Sequence, residues 1–161
     1  MTNPAAGEKA SQHDYFHFTA TEYSRFHQFL HPLDLPASQI VYNQGALATT
    51  LYLIKSGTVS LQHTPSTGKV DRLTVVQTGQ AFGQAALWLE EGRHAETART
   101  LEPCSLLALV RQNFILLQNK GPGLMIKLLC TLQQQTYQEW LGARAEFHIL
   151  TARLAGANIL I

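Results

Sequence analysis

Several absences narrow what this chain can be. No run of about 18 apolar residues exists to form a membrane-spanning helix. The polar opening from Met1 to His13 has no apolar signal region. Cysteine is scarce: Cys104 and Cys130 stand alone, in no CxxC or Cys/His ligand spacing. A disulfide framework, a zinc site and a four-cysteine iron–sulfur cluster are therefore not expected, and a reduced, cytoplasmic setting fits. Charge of one sign is missing too, since 12 Lys+Arg against 11 Asp+Glu leave a net charge of +1. With the cations scattered, nothing advertises a nucleic-acid or membrane surface. The seven histidines fall into no HxH or HExxH spacing. No nucleophile–base pair, carboxylate pair or metal cluster can be assembled, so no enzyme is expected. There are no internal repeats and no low-complexity segments.

What is present is a sequence with two periods. Residues 1–14 read as a flexible tail. Thr19 or Thr21 can cap a helix with Glu22 in its first turn, and Tyr23, Phe26 and Leu30 recur on one face. His31-Pro32 and Leu35-Pro36 are expected to stop that helix. From Ser38 the period shortens. Ile40 to Tyr42, Leu51 to Ile54, Thr58 to His63, Val70 to Val76, Thr97 to Thr100 and Ser105 to Val110 read as short strands. Gly-containing turns at Asn43-Gln44-Gly45, Ser56-Gly57, Pro65 to Gly68 and Thr78-Gly79 separate them. Many short strands at this spacing predict a mainly β, α+β domain over 15–123, built as a β-roll or jelly roll (a double-stranded β-helix).

The stretch Gln80 to Arg99 carries the candidate chemistry. Phe82-Gly83-Gln84 offers a glycine beside which backbone N–H groups can approach a ligand, and a short apolar helical turn from Ala85 follows. Glu90-Glu91-Gly92 then bends the chain and delivers Arg93-His94-Ala95 at the mouth of a strand. A glycine turn, a helix N-terminus and a cation meeting at one point predict an anion site.

The last third reads as helical. Arg111 to Gln118 forms a short helix, broken at Gly121-Pro122-Gly123. A long helix is expected over 124–150, with a second helical piece over 151–161. Leu129, Leu132, Thr136, Trp140, Ala143, Phe147 and Leu150 repeat at three and four residues, a narrow seam suited to a helix partner. Trp140 and Phe147 would lie exposed unless a second copy covers them, and Gly142-Ala143 allows close approach.

Taken together, these stretches resemble the cyclic nucleotide-binding domain of the cyclic-AMP receptor protein and fumarate–nitrate regulator superfamily. The matching segments are Val41 to Gly45, Leu51 to Val59, Gly79 to Leu87 and Leu106 to Leu109, and the likeness covers about Phe16 to Leu150. The resemblance implies a sensor domain that dimerises through the long helix and binds cyclic AMP or another small anionic effector. In the family, the cassette glycine and its neighbours (here Phe82, Gly83, Gln84 and Ala85) present amides to the cyclic phosphate. A Glu takes the ribose hydroxyl, and an Arg pairs with the phosphate. Here Gln84 replaces the Glu. Cassette length puts Arg93 at the phosphate position, whereas counting back from Thr97-Ala98-Arg99-Thr100 puts His94 there. The strand register is favoured because strand alternation is strict. On the long helix the base-side positions fall on Gln135, Glu139 and Trp140. Trp140 could fill the pocket or stack on a base, and Glu139 would repel a phosphate if it pointed inward.

Thr151 to Ala155 resembles the opening of the family's DNA-binding domain, yet no helix-turn-helix is expected within these 161 residues. DNA is a partner only if such a domain lies beyond residue 161; otherwise the chain is a stand-alone sensor. Two other functions fit a roll of this kind. One is a ligand-free dimerisation or protein-interaction module. The other is a haem-based gas sensor using one or two of the histidines. A cupin enzyme would share the roll but needs clustered metal ligands.

Overall fold

The computed structural model describes residues 18–66, 68–70, 72–88 and 91–157, and no side chain at 150 or beyond 151. The expected tail over 1–14 lies outside them. The chain divides into two compact units, the first running to Lys127 and the second beginning at Leu128.

The first unit opens with α1 (Ala20–His27). Thr19 caps it: its hydroxyl accepts from the Glu22 amide, and the Glu22 carboxylate accepts from the Thr19 amide, a reciprocal capping box. The same carboxylate takes the ammonium of Lys127 at 2.7 Å. Eight strands follow: β1 (His31–Leu35), β2 (Ile40–Tyr42), β3 (Thr50–Ser56), β4 (Thr58–His63), β5 (Arg72–Gln77), β6 (Ala81–Phe82), β7 (Thr97–Thr100) and β8 (Cys104–Val110). A four-residue turn of helix, α2 (Ala85–Trp88), sits between β6 and β7. After β8 come α3 (Arg111–Lys120) and α4 (Pro122–Ala157).

Every strand pair is antiparallel. One sheet runs β1-β8-β3-β6 and the other β2-β7-β4-β5. Apart from the β4–β5 hairpin, consecutive strands lie in different sheets, which is the jelly-roll arrangement expected from the strand spacing. Between the sheets lie Ile54, Val59, Val76, Phe82, Ala98, Cys104 and Leu106, all buried, with Leu33, Leu35, Val41, Tyr42, Tyr52 and Leu61 packed against them. Burying each of the larger apolar side chains contributes about 1.5–3 kcal/mol. Gly57, with φ of 96°, joins β3 to β4 where a Cβ would lie 2.6 Å from the Cys104 sulfur and 2.7 Å from the Pro103 carbonyl. Only glycine fits that turn from one sheet to the other without displacing β8.

Three elements differ from the sequence expectation. The segment His31–Leu35, read as a helix stop, is strand β1, and α1 already ends at His27. Pro32 is tolerated because β1 is an edge strand, where a missing N–H costs no ladder bond on the open side. Strand β6 is only two residues long and had no periodicity to read. Finally, α4 starts at Pro122, which supplies a preset φ at a first helical position, and runs unbroken through Thr151 to Ala157. The separate helical piece expected from 151 is thus part of one helix.

The second unit is the body of α4. Its side chains from Tyr137 to Ile149 are exposed, with Trp140 51%, Phe147 65% and Ile149 53% accessible. Trp140 is flanked on its own helix by Tyr137, at 6.0 Å between ring centroids, and by the Arg144 guanidinium, 5.3 Å from the ring centre. No helix among the described residues is long and apolar enough to cross a membrane.

Candidate functional site

The cassette is fixed from both sides. Upstream, the Gly79 amide donates to the Ile54 carbonyl and the Ile54 amide to the Gln80 carbonyl, both at 2.9 Å. That clamp sets Tyr52 opposite Phe82 and Leu53 opposite Ala81. Phe82 is fully buried, which anchors the turn that follows. Gly83 has φ of 82°, and a Cβ there would lie 2.7 Å from the Thr50 carbonyl. The glycine is required twice, by conformation and by space. The Ala86 and Leu87 amides then turn back onto the carbonyls of Gly83 and Gln84, at 3.1 and 2.9 Å. The amides of Gln84 and Ala85 precede the first bond of the turn and find no backbone acceptor among the described residues. Because α2 is a single turn, these amides rather than a helix macrodipole give the cassette its preference for an acceptor. The Gln84 carboxamide folds back, donating to the Ala81 carbonyl at 3.3 Å.

Downstream, the two candidate cations part company. Arg93 is exposed; it bridges to Leu47 through its backbone, and its guanidinium donates to the Gly45 carbonyl at 2.8 Å. His94 turns inward and is only 6% accessible. Its amide donates to the Ala46 carbonyl at 2.9 Å, and its carbonyl accepts from the Gly45 amide at 2.8 Å. The imidazole lies flat on Tyr42, with centroids 3.5 Å apart and planes 8° from parallel. Its Cε1 is 3.7 Å from where a Gly83 Cβ would stand, so the ring faces the cassette glycine directly. Burial lowers the His94 pKa from its ordinary value. Ala95 is exposed.

Behind His94 stands a cluster that sequence reasoning missed. Tyr42 and Tyr52 both pack on Phe82, at 5.9 and 5.1 Å between centroids. Burial pushes the Tyr42 phenol up, aided by the nearby Glu96 charge and by Tyr52, and burial likewise raises Tyr52. Both phenols stay neutral. Glu96 itself is held by Arg72 at 2.8 Å. The available signal was Tyr42, inside a segment already matched to the family but read as framework.

Among the described residues three polar side chains are buried: Ser60, His94 and Thr100. The Ser60 hydroxyl donates to the Arg99 carbonyl at 3.2 Å, and the Thr100 hydroxyl to the Pro36 carbonyl at 2.7 Å. The His94 ring has no hydrogen-bond partner among the described residues. A buried imidazole with an unmet nitrogen, next to unmet amides at a glycine turn, is a place for an acceptor-rich ligand.

The remaining candidates belong to the second unit. Gln135 donates to the Glu139 carboxylate at 2.8 Å along the same helix face, and Trp140 is exposed as described. Of the seam, Thr136, Ala143 and Phe147 are exposed and Leu129 is half-buried. Leu132 is buried, and the Leu150 side chain lies outside the described residues. Elsewhere on the roll, a recess of about 370 Å³ is lined by Asp34, Leu35, Pro36, Ser56, Pro103, Cys104 and Ser105. It offers no cation. Burial pushes the Cys104 thiol up, so it is not a ready nucleophile. Among the described residues no three His, Cys, Asp or Glu gather as a metal site.

Comparison with known proteins places the roll in a family. Residues 32–120 match the family model of the cyclic nucleotide-binding domain. The cyclic AMP receptor protein of Thermus thermophilus is 34% identical over 99 residues, which is 62% of this chain and 44% of that protein. The cAMP-activated global transcriptional regulator CRP of Haemophilus influenzae is 27% identical over 100 residues, 62% of this chain and 45% of that protein. The match thus spans somewhat less than half of these curated relatives. The crystal structure of the Thermus thermophilus catabolite activator protein superposes with a TM-score of 0.69 at 28% identity, covering 85% of this chain and 62% of that one.

Proposed function

Because this chain belongs to the cyclic nucleotide-binding domain family, we propose that its roll is a non-enzymatic, effector-sensing regulatory domain. It binds a small anionic effector, a cyclic nucleotide such as cyclic AMP in the first instance. Its likeness to cyclic-AMP receptor proteins supports a sensor that works within a transcription regulator in the cytoplasm. One observation carries the reading: His94 is buried and, among the described residues, without a hydrogen-bond partner, and it faces the cassette glycine whose following amides are likewise unmet there. In the bound state, the Gln84 and Ala85 amides take phosphate oxygens while His94 supplies the cationic donor. Gln84 can still accept a ribose hydroxyl if its carboxamide leaves the Ala81 carbonyl. Arg93 has its guanidinium committed to Gly45 and acts at the rim.

The long helix makes the homodimer and transmits the effector's presence, by favouring one of two helix arrangements that a DNA-binding domain or partner protein reads. The exposed Trp140 and Phe147 support that role.

A second reading has its own observation. The Tyr42–His94 stack is a closed contact, and Gln84 is already bonded to its own strand. Both fit a roll that has lost its ligand and serves only to dimerise or dock. Thermal unfolding with cyclic AMP, cyclic GMP and cyclic di-GMP separates the two. A ligand at about 100 times its Kd stabilises by about 2.7 kcal/mol, a shift of several degrees for a domain this size. Flat curves for all three nucleotides would favour the ligand-free module.

A further inference from the structure

Resting on the reading of the cassette as an anion site, we propose that His94 receives the anion as an imidazolium, so that each ligand bound brings one proton into the protein. The sensor then reports effector and pH jointly.

The cations around the cassette leave this task to one side chain. Arg93 is turned out onto the Gly45 carbonyl. Arg99 donates to the Ser38 carbonyl at 2.9 Å, and Arg72 is paired with Glu96. Of the described residues in the cassette and the strands packed on it, only His94 can place positive charge beside Gly83. The groups against it are neutral: Tyr42 from β2 stacks on the ring and Gly83 of the cassette turn lies beside it, with Tyr52 and Phe82 packed behind Tyr42. The turn from Asn43 to Ala46 offers it backbone only. On its own segment, Glu91 is exposed, Arg93 faces out, and Glu96 is occupied by Arg72.

A buried ring with aromatic neighbours and no carboxylate against it is held neutral when the site is free, in line with its lowered pKa. An anion at the Gln84 and Ala85 amides inverts this. The poorly screened surroundings that disfavoured a lone imidazolium now strengthen its pairing with the ligand. The proton comes from a solvent or buffer acid and bonds to a ring nitrogen of His94. No other bond is made or broken.

The test is calorimetric titration of the whole chain with cyclic AMP at about pH 6 and about pH 8, each in two buffers of different ionisation enthalpy. The expected result is affinity falling by up to about tenfold per unit rise in pH, with uptake of about one proton per ligand. His94→Gln, which keeps the size and a donor, should remove both effects. Affinity that is independent of pH in the unsubstituted protein, with no proton uptake, overturns the proposal. If cyclic AMP does not bind at either pH, the nucleotide reading of the site fails separately, and His94→Arg decides the present one. Binding by that variant at about pH 8 shows that a permanent charge at this position was what the site lacked, and sustains the proposal. No binding by it overturns the proposal as well. His94→Lys, slimmer and also charged, serves if the Arg variant does not fold.

Discussion

The roll and the long helix solve burial in opposite ways. In the roll, the large side chains of the inner sheet faces are covered by the chain's own strands, Phe82, Leu106, Val59 and Val76 to within 2% of complete burial. On α4, by contrast, Tyr137, Trp140, Phe147 and Ile149 each stay at least half exposed. A region that closes its own core needs nothing further to fold. On α4, Tyr137, Trp140 and Phe147 share one helix face with nothing over them, the face that the proposed dimer would cover. The difference separates what this chain does alone, holding a cassette in shape, from what it does in company.

The sharpest test of that contrast is a substitution that breaks the roll. Phe82→Ala removes the ring that anchors the cassette between the sheets and should cost about 3–5 kcal/mol, read by denaturant unfolding at fixed slope. If the loss is under about 1 kcal/mol, the aromatic cluster is not the core it is taken for. The matching change on the helix, Trp140→Ala with Phe147→Ala, should leave the roll's own unfolding within about 0.5 kcal/mol. It should weaken self-association by about 2 kcal/mol or more, roughly thirtyfold, seen by sedimentation. Unchanged association would remove the seam from the dimer.

Gly83→Ala sits between these in meaning and below them in size. The left-handed φ and the contact with the Thr50 carbonyl predict a loss of about 1–3 kcal/mol, together with loss of any ligand-induced thermal shift. The smallest effect is with pH. The folded state holds His94 at a lowered pKa, so below about pH 6.5 the unfolded chain binds the extra proton and ligand-free stability declines. His94→Gln should flatten that part of the stability–pH curve, and an equally steep curve in the variant would assign the effect to other groups.

Part of the roll was readable because β4 alternates polar and apolar residues in sequence and β7 alternates in burial. Thr58 to His63 and Thr97 to Thr100 have the bounds that period two suggested. The same parity, carried back from the buried Ala98 and Thr100, sets His94 inside and Arg93 outside, and that is where they lie. What escaped has physical causes. Strand β1 contains a proline that local propensity reads as a stop, and its extended form comes from pairing with β8, far along the chain, from His31 opposite Ala108 to Leu35 opposite Cys104. Tyr42 follows a register shift in β2 between Ile40 and Tyr42, and a bulge erases the parity that would have shown its ring turning inward. The His94–Tyr42 stack was out of reach for the same reason, since it joins residues from two strands whose register no local pattern records.

That stack also gives the protein a built-in spectroscopic reporter. A ring held parallel to another at 3.5 Å sits in its partner's magnetic shielding cone. The carbon-bound protons of His94 should therefore resonate well upfield of those of His27, His31 and His148, which are exposed. Any event that parts the two rings would carry those signals back toward the crowd, so the site's occupancy can be followed in solution without a label.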